Sequence, residues 1–190
     1  MLFSDLVHRV DQVQGDIERR QTAFNLVRDI PYGTIGAHEP KLALKNQTAD
    51  CYAKSQILSQ LLAHLGYETR ILIMQYRLKN KPEEVMYIPG QLDYHYALQL
   101  KLNDHWVTID ATYDPPLAKL GFIVNNWNGN HSTPLTESPL SQKIYGQPDV
   151  RFDAAFQSFQ QTLEAAYLAH LDKINLYQIK FNEWLESARK

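Results

Sequence analysis

The chain has 190 residues, room for one domain or one domain with an extension, and 44% of them are hydrophobic, enough for a core. Its 19 basic and 21 acidic residues leave a net charge of −2, which gives no electrostatic reason to expect a nucleic-acid partner. One cysteine excludes an internal disulfide and fits a reducing cytosol, and the 7 histidines form no His-x-x-x-His pair for zinc, so neither a metal nor a cofactor is expected.

Residues 2–30 read as helical. Leu2, Leu6, Val10 and Val13 recur at helical spacing, Gly15 interrupts, and the pattern resumes through Phe24, Leu26, Val27 and Ile30. Arg19, Arg20 and Arg28 read as a solvated face. The start, Met1-Leu2-Phe3-Ser4-Asp5-Leu6, lacks the basic-then-apolar pattern of a signal peptide, and no apolar run reaches membrane-spanning length, so a cytoplasmic protein without a membrane partner is expected. Pro31-Tyr32-Gly33 stops the helix, and residues 31–47 have too little period to be anything but loop, His38 and Glu39 included.

Thr48-Ala49-Asp50-Cys51-Tyr52-Ala53-Lys54 opens the next helix, with Asp50 or Thr48 as N-cap. Ile57, Leu58, Leu61, Leu62 and Leu65 make one apolar face, and Gly66 ends the helix. Cys51 lies nearly two turns before Leu58 and shares that buried face. Free N–H groups at a helix start favour negative charge, so a thiol there is placed to ionise below its usual pKa. Taken alone, however, a lone cysteine is commonly a small buried hydrophobe.

Residues 67–78, with Ile71-Leu72-Ile73-Met74, read as a strand buried on both faces. Lys79 to Glu84 is a charged turn, and Val85-Met86-Tyr87-Ile88 a short strand ended by Pro89-Gly90. Tyr94, Tyr96, Leu98, Leu100 and Leu102 then alternate, Asn103-Asp104 is a two-residue turn, and His105 to Asp110 is the returning strand. That turn pairs Leu102 with His105, Leu98 with Ile109 and Ala97 with Asp110. His95 then lies opposite Thr112 and diagonal to Asp110, on the same face, and a one-residue slip would separate the imidazole from the carboxylate.

Residues 111–150, with five prolines, read as an irregular segment in which Trp127 either covers a cleft or pins the loop to the core. His131 reads as a surface residue. From Phe152 to Trp184 apolar residues recur every three or four positions with neither Gly nor Pro between them. One straight helix of this length would run ~55 Å, so it bends, breaks near Asn175, or extends to meet the N-terminal helices or a second copy of the chain. A homodimer through this helix is therefore an expected partner arrangement. The boundaries are one domain over 1–190, with a core of about 17–116 and a helical extension over 151–188.

The order of a cysteine at a helix start, a histidine on a strand and an aspartate on the next resembles the transglutaminase-like superfamily of papain-like thiol enzymes. The resemblance covers roughly residues 46–116 and rests on Asp50-Cys51-Tyr52-Ala53-Lys54, Tyr94-His95-Tyr96-Ala97-Leu98 and Trp106-Val107-Thr108-Ile109-Asp110-Ala111-Thr112. It implies an α+β fold in which the cysteine helix packs on a small antiparallel sheet, to which the periodicity outside it adds N-terminal helices and a long C-terminal helix. It also implies Cys51, His95 and Asp110 as a catalytic triad acting on a peptide or amide substrate; hydrolysis is preferred over transamidation because water is always available and no acceptor site is visible in the sequence. In such enzymes the backbone N–H of the cysteine and one further donor hold the oxyanion. Gln47 is the expected second donor. His105, His64 and Asp114 are rivals for the base and the acid, each placed unfavourably along its element. The competing expectations are a catalytically silent module of the same fold that binds a peptide or protein, and a purely structural helical protein in which His95 and Asp110 lie far from Cys51.

Overall fold

A computed structural model of the chain describes residues 1–77 and 92–190. The charged turn at Lys79–Glu84 and the short strand at Val85–Ile88 lie outside the described residues. Among the described residues five α-helices (α1 Phe3–Asp11, α2 Asp16–Arg28, α3 Pro40–Asn46, α4 Cys51–His64 and α5 Val150–Ser187) accompany four strands (β1 Thr69–Arg77, β2 Leu92–Leu102, β3 His105–Ile109 and β4 Pro139–Ile144). The strands form one antiparallel sheet in the order β3-β2-β1-β4. The architecture is α+β, with the cysteine-bearing helix packed on the sheet. Among the described residues no helix is long and apolar enough to cross a membrane.

The core lies between α4 and one sheet face. Ile57, Leu58, Leu61 and Leu62 of α4 meet Ile71, Leu98, Leu100 and Ile109, and α1 and α2 close the other side through Leu6, Val10, Phe24 and Val27. Asp50 caps α4 by accepting from the Ala53 amide at 2.8 Å. Gly66, at a φ of 86°, takes the left-handed conformation beyond the helix end that a side chain would strain. In the β2–β3 hairpin both turn residues, Asn103 and Asp104, have positive φ, the backbone that lets a two-residue turn follow the twist of its strands. The register follows from it: Leu102 faces His105 and Leu98 faces Ile109. There the ladder ends. Asp110 leaves the sheet, and its amide donates to Thr133 Oγ1 at 3.0 Å instead.

Several expectations are corrected. The stretch before Gln47 is not all loop, because α3 occupies Pro40–Asn46. Its start is built by the residues that most resembled loop: the Glu39 carboxylate accepts from the Lys41 and Leu42 amides, and Pro40 spends its missing N–H where a helix has no use for one. The arginines of α2 are not simply solvated. Arg20 is only 7% exposed; it donates to the Gly129 carbonyl, to Asn130 Oδ1 at 2.5 Å and to the Tyr67 hydroxyl at 3.0 Å. Arg28 donates to the Asn125 carbonyl and to Asn126 Oδ1. Both thereby pin the segment that follows β3. That segment is also less irregular than expected: Pro115–Leu120 is a 3₁₀ helix, and β4 pairs with β1. Trp127 is buried against Phe24, with ring centroids 5.7 Å apart, so it pins the loop to the core and does not cover a cleft.

α5 is one uninterrupted helix of 38 residues, with no break at Asn175. It is anchored at its two ends. Near the start Phe152, Phe156 and Phe159 surround Tyr94. Near the finish Phe181, Leu185 and Ala188 pack with Tyr113 and Leu117. Arg189 then clasps Asp114 through two nitrogens, at 3.0 and 2.7 Å, and also reaches the Tyr32 carbonyl.

Candidate active site

Three elements bring Cys51, His95 and Asp110 together. The N-cap of α4 fixes the helix start at Cys51, whose amide and that of Tyr52 precede any intrahelical acceptor. β2 carries His95 on the face opposite Tyr94 and Tyr96, and the end of β3 delivers Asp110. His95 and Asp110 are 2% and 1% exposed, and His95 Nε2 lies 2.8 Å from Asp110 Oδ2. The ring and the Cys51 thiol lie close enough for each to shift the other's pKa. The expectation of a purely structural protein with these residues far apart is thereby corrected.

The carboxylate of Asp110 is fully satisfied. Oδ2 accepts from the Thr136 amide and hydroxyl, each at 2.9 Å, as well as facing His95, and Oδ1 accepts from the Thr112 amide at 3.2 Å. Thr136 Oγ1 is also 3.1 Å from His95 Nε2. Asn125 donates to the Asp110 carbonyl at 2.9 Å. Burial works against the charged form of Asp110, yet the neighbouring imidazole and these donors hold its pKa below the ordinary carboxylate value. For His95, burial disfavours the imidazolium and is the largest single effect, but Asp110 and Cys51 together outweigh it and raise the ring well above its usual pKa.

The thiol runs the other way from the sequence-based expectation. Cys51 keeps some exposure as a residue, but its sulfur is desolvated, and this burial pushes the thiol up in spite of the hydrogen bond and charge of His95. The negative Asp50 adds to the rise. Placement at a helix start favours the thiolate, and here desolvation is the larger effect. Buried tyrosines stand nearby. Tyr32 and Tyr113 meet edge-to-face at 4.9 Å, both feel the Cys51 charge, and Tyr76 stands edge-on to the His95 ring at 6.2 Å.

Gln47 occupies the left-handed C-cap of α3 with its side chain exposed, and among the described residues no hydrogen bond ties that side chain to Cys51 or His95. His38 is more than loop: its Nδ1 lies 2.6 Å from Asp50 Oδ2 and its ring stacks on Tyr52 at 4.5 Å, so it borders the start of the cysteine helix. The hydrogen bond to Asp50 raises its pKa. The rivals are engaged elsewhere. His64 pairs with Asp11, His105 stands exposed beside the hairpin turn, and Asp114 is held by Arg189 and the Tyr32 amide.

Sequence reasoning missed three groups near the site. Thr136 and Asn125 reach Asp110 from a segment with no periodic signal. Lys54, one turn after Cys51, is 1% exposed, and its ammonium donates to the Arg28 and Thr112 carbonyls at 2.9 and 2.7 Å. The apolar i, i+3, i+4 stripe that includes Ile57, Leu58 and Leu61 places it inward, and this was the available signal. Burial lowers its pKa to about 7 against the pull of Asp114.

No family model and no curated protein matches the chain. Among solved structures, one described as "Crystal structure of a TGase" overlaps 58% of this chain at 15% identity and a TM-score of 0.40. The overlap takes in 32% of that structure, so this chain spans about a third of its length. Likeness at this level is too slight to assign a family.

Proposed function

We propose that the protein is a transglutaminase-like thiol acyl-transfer enzyme that cleaves an amide or peptide bond through Cys51, His95 and Asp110. The reading rests on one observation: a fully buried His95–Asp110 pair whose ring meets the only thiol in the chain at the start of a helix. With Nε2 committed to Asp110, Nδ1 is the nitrogen left to take the Cys51 proton. The thiolate then attacks the carbonyl carbon. The oxyanion is held by the Cys51 amide and, in this reading, by Gln47 once its exposed side chain turns inward. The carbon–nitrogen bond breaks as His95 returns its proton to the leaving amine. Water attacks the thioester, gives its proton to His95, and releases the acid and the thiol. Hydrolysis is preferred to transamidation because water needs no second binding site.

A screen of fluorogenic peptide amides against the wild type and Cys51→Ala tests the proposal. Turnover is expected in the wild type and should fall to background in the variant, with an unchanged circular dichroism spectrum. Equal turnover in the two proteins would remove Cys51 from the chemistry.

One observation favours a second reading, a silent module that binds a peptide or protein: burial raises the Cys51 thiol. Alkylation by iodoacetamide across pH separates the two. A rate that stays high well below pH 7 reports a thiolate paired with an imidazolium, and a rate that climbs only above pH ~9 reports an inert buried thiol.

A further inference from the structure

Among the described residues Arg20 is a buried cation without a counter-charge. It is 7% exposed, and its three bonds go to neutral acceptors: the Gly129 carbonyl, Asn130 Oδ1 and the Tyr67 hydroxyl. An arginine this deep is ordinarily paired, because an unmatched charge is costly to bury. Arg28 and Arg189, also largely covered, follow that rule and face Asp29 and Asp114. Arg20 does not.

Its guanidinium opens on a cavity of about 660 Å³, a volume within the range of small-molecule sites. A guanidinium has five N–H donors. The bonds above leave one N–H on each terminal nitrogen without a partner among the described residues, a pair that suits the two oxygens of a carboxylate. Tyr67, Leu102 and Val107 give the cavity an apolar wall. Lys101 lines it too, but its ammonium is already shared by Glu68 at 3.4 Å and Asp104 at 3.8 Å. Asp16, one turn before Arg20 on α2, is exposed at the open side and opposes a second negative charge in a ligand. The site therefore has a single positive charge to match. The cavity is separate from the candidate active site: Lys101 lies six residues from His95 along β2, about 20 Å of strand.

We infer that this cavity binds a small organic monocarboxylate, with its carboxylate on Arg20 and its apolar body against Tyr67, Leu102 and Val107. Binding supplies the missing counter-charge. It is independent of any chemistry at Cys51.

NMR titration of the full chain with hydrocinnamate, with its uncharged carboxamide and with inorganic phosphate tests the inference. Hydrocinnamate should bind saturably, with a Kd on the order of 1 mM, and shift the backbone signals of Tyr67, Leu102, Asn130 and His131. The carboxamide should bind at least about tenfold more weakly, because it leaves the charge unmatched. Phosphate should bind more weakly than hydrocinnamate. Arg20→Lys keeps the charge and loses the fork, and should weaken hydrocinnamate by about tenfold. That change also loosens the Gly129 loop, so two exposed positions carry the test by themselves. Asp16→Asn should tighten hydrocinnamate by about threefold, and His131→Glu, also on the cavity lining, should weaken it by about threefold to tenfold at low salt. The carboxamide should respond to neither. No saturable shift up to about 20 mM hydrocinnamate, or shifts confined to the surroundings of Cys51, would overturn the inference. So would equal affinity for acid and carboxamide, or an affinity indifferent to both Asp16→Asn and His131→Glu. Phosphate bound as tightly as hydrocinnamate would overturn the assignment to a carboxylate.

Discussion

The run after β3 carries two buried aspartates four residues apart, and they behave differently. Asp110 faces His95, a group able to take up and release a proton, beside a thiol. Asp114 faces Arg189, which never does, at the foot of α5. Both are about equally buried and both are saturated with donors. The residue type and the burial are the same, so the partner decides the role: in the proposed enzyme one carboxylate orients a base, and the other closes the fold. Lys54 lies between them, bonded to the Thr112 carbonyl and drawn electrostatically to both.

The comparison breaks most decisively at Asp110. In the proposed enzyme, Asp110→Asn should lower kcat by about 10³–10⁴-fold, because the amide no longer stabilises the imidazolium or selects the ring tautomer. Initial rates on the best peptide amide, alongside an unfolding curve, would measure it; a loss of stability with an unchanged rate would show Asp110 to be structural like its neighbour. Asp114→Ala should do the reverse. Arg189 would be left without its main partner, at a cost of about 3–5 kcal/mol in urea unfolding, while cold, folded protein should keep most of its activity.

Lys54 sharpens the comparison by pH. Its pKa is about 7 in the folded protein against 10.5 for the free side chain. Between those values the unfolded chain binds the extra proton, so this residue makes the fold more stable as pH rises. His95 acts in the opposite sense: its raised pKa contributes stability below ~6.5 that is lost as pH climbs through the folded value. The difference between wild type and Lys54→Met isolates the lysine, and it should move in favour of the wild type by about 2–3 kcal/mol from pH 7 to pH 9. A flat difference would mean that the ammonium is well solvated.

Much of this arrangement was legible beforehand, for local reasons. Strict alternation around Asn103-Asp104 leaves a single register for β2 and β3, and that register carries His95 to Asp110. Asp50 announces the start of α4 by its capping chemistry. What stayed hidden depends on contacts across long stretches of chain. Nothing beside Thr136 in the sequence says that its amide and hydroxyl will meet Asp110. Arg20 looks like any charge on a polar face until the loop at Gly129 folds over it. β4, at the sheet edge and exposed along most of its length, needs no alternation and shows none. The rise of the Cys51 thiol is hidden in the sequence because helix-start effects are local, whereas the burial of the sulfur is set by the tertiary fold.

The Arg20 clamp has a consequence at a distance. Its guanidinium grips Gly129 and Asn130, within the loop whose Asn125, Thr133 and Thr136 supply the fittings of Asp110. A lesion on the second helix, remote from the sulfur, would therefore loosen the acid first and the fold second. Variants at Arg20 should look like active-site defects in assays of the proposed enzyme, although its bonds go to Gly129, Asn130 and Tyr67 and none to Cys51, His95 or Asp110.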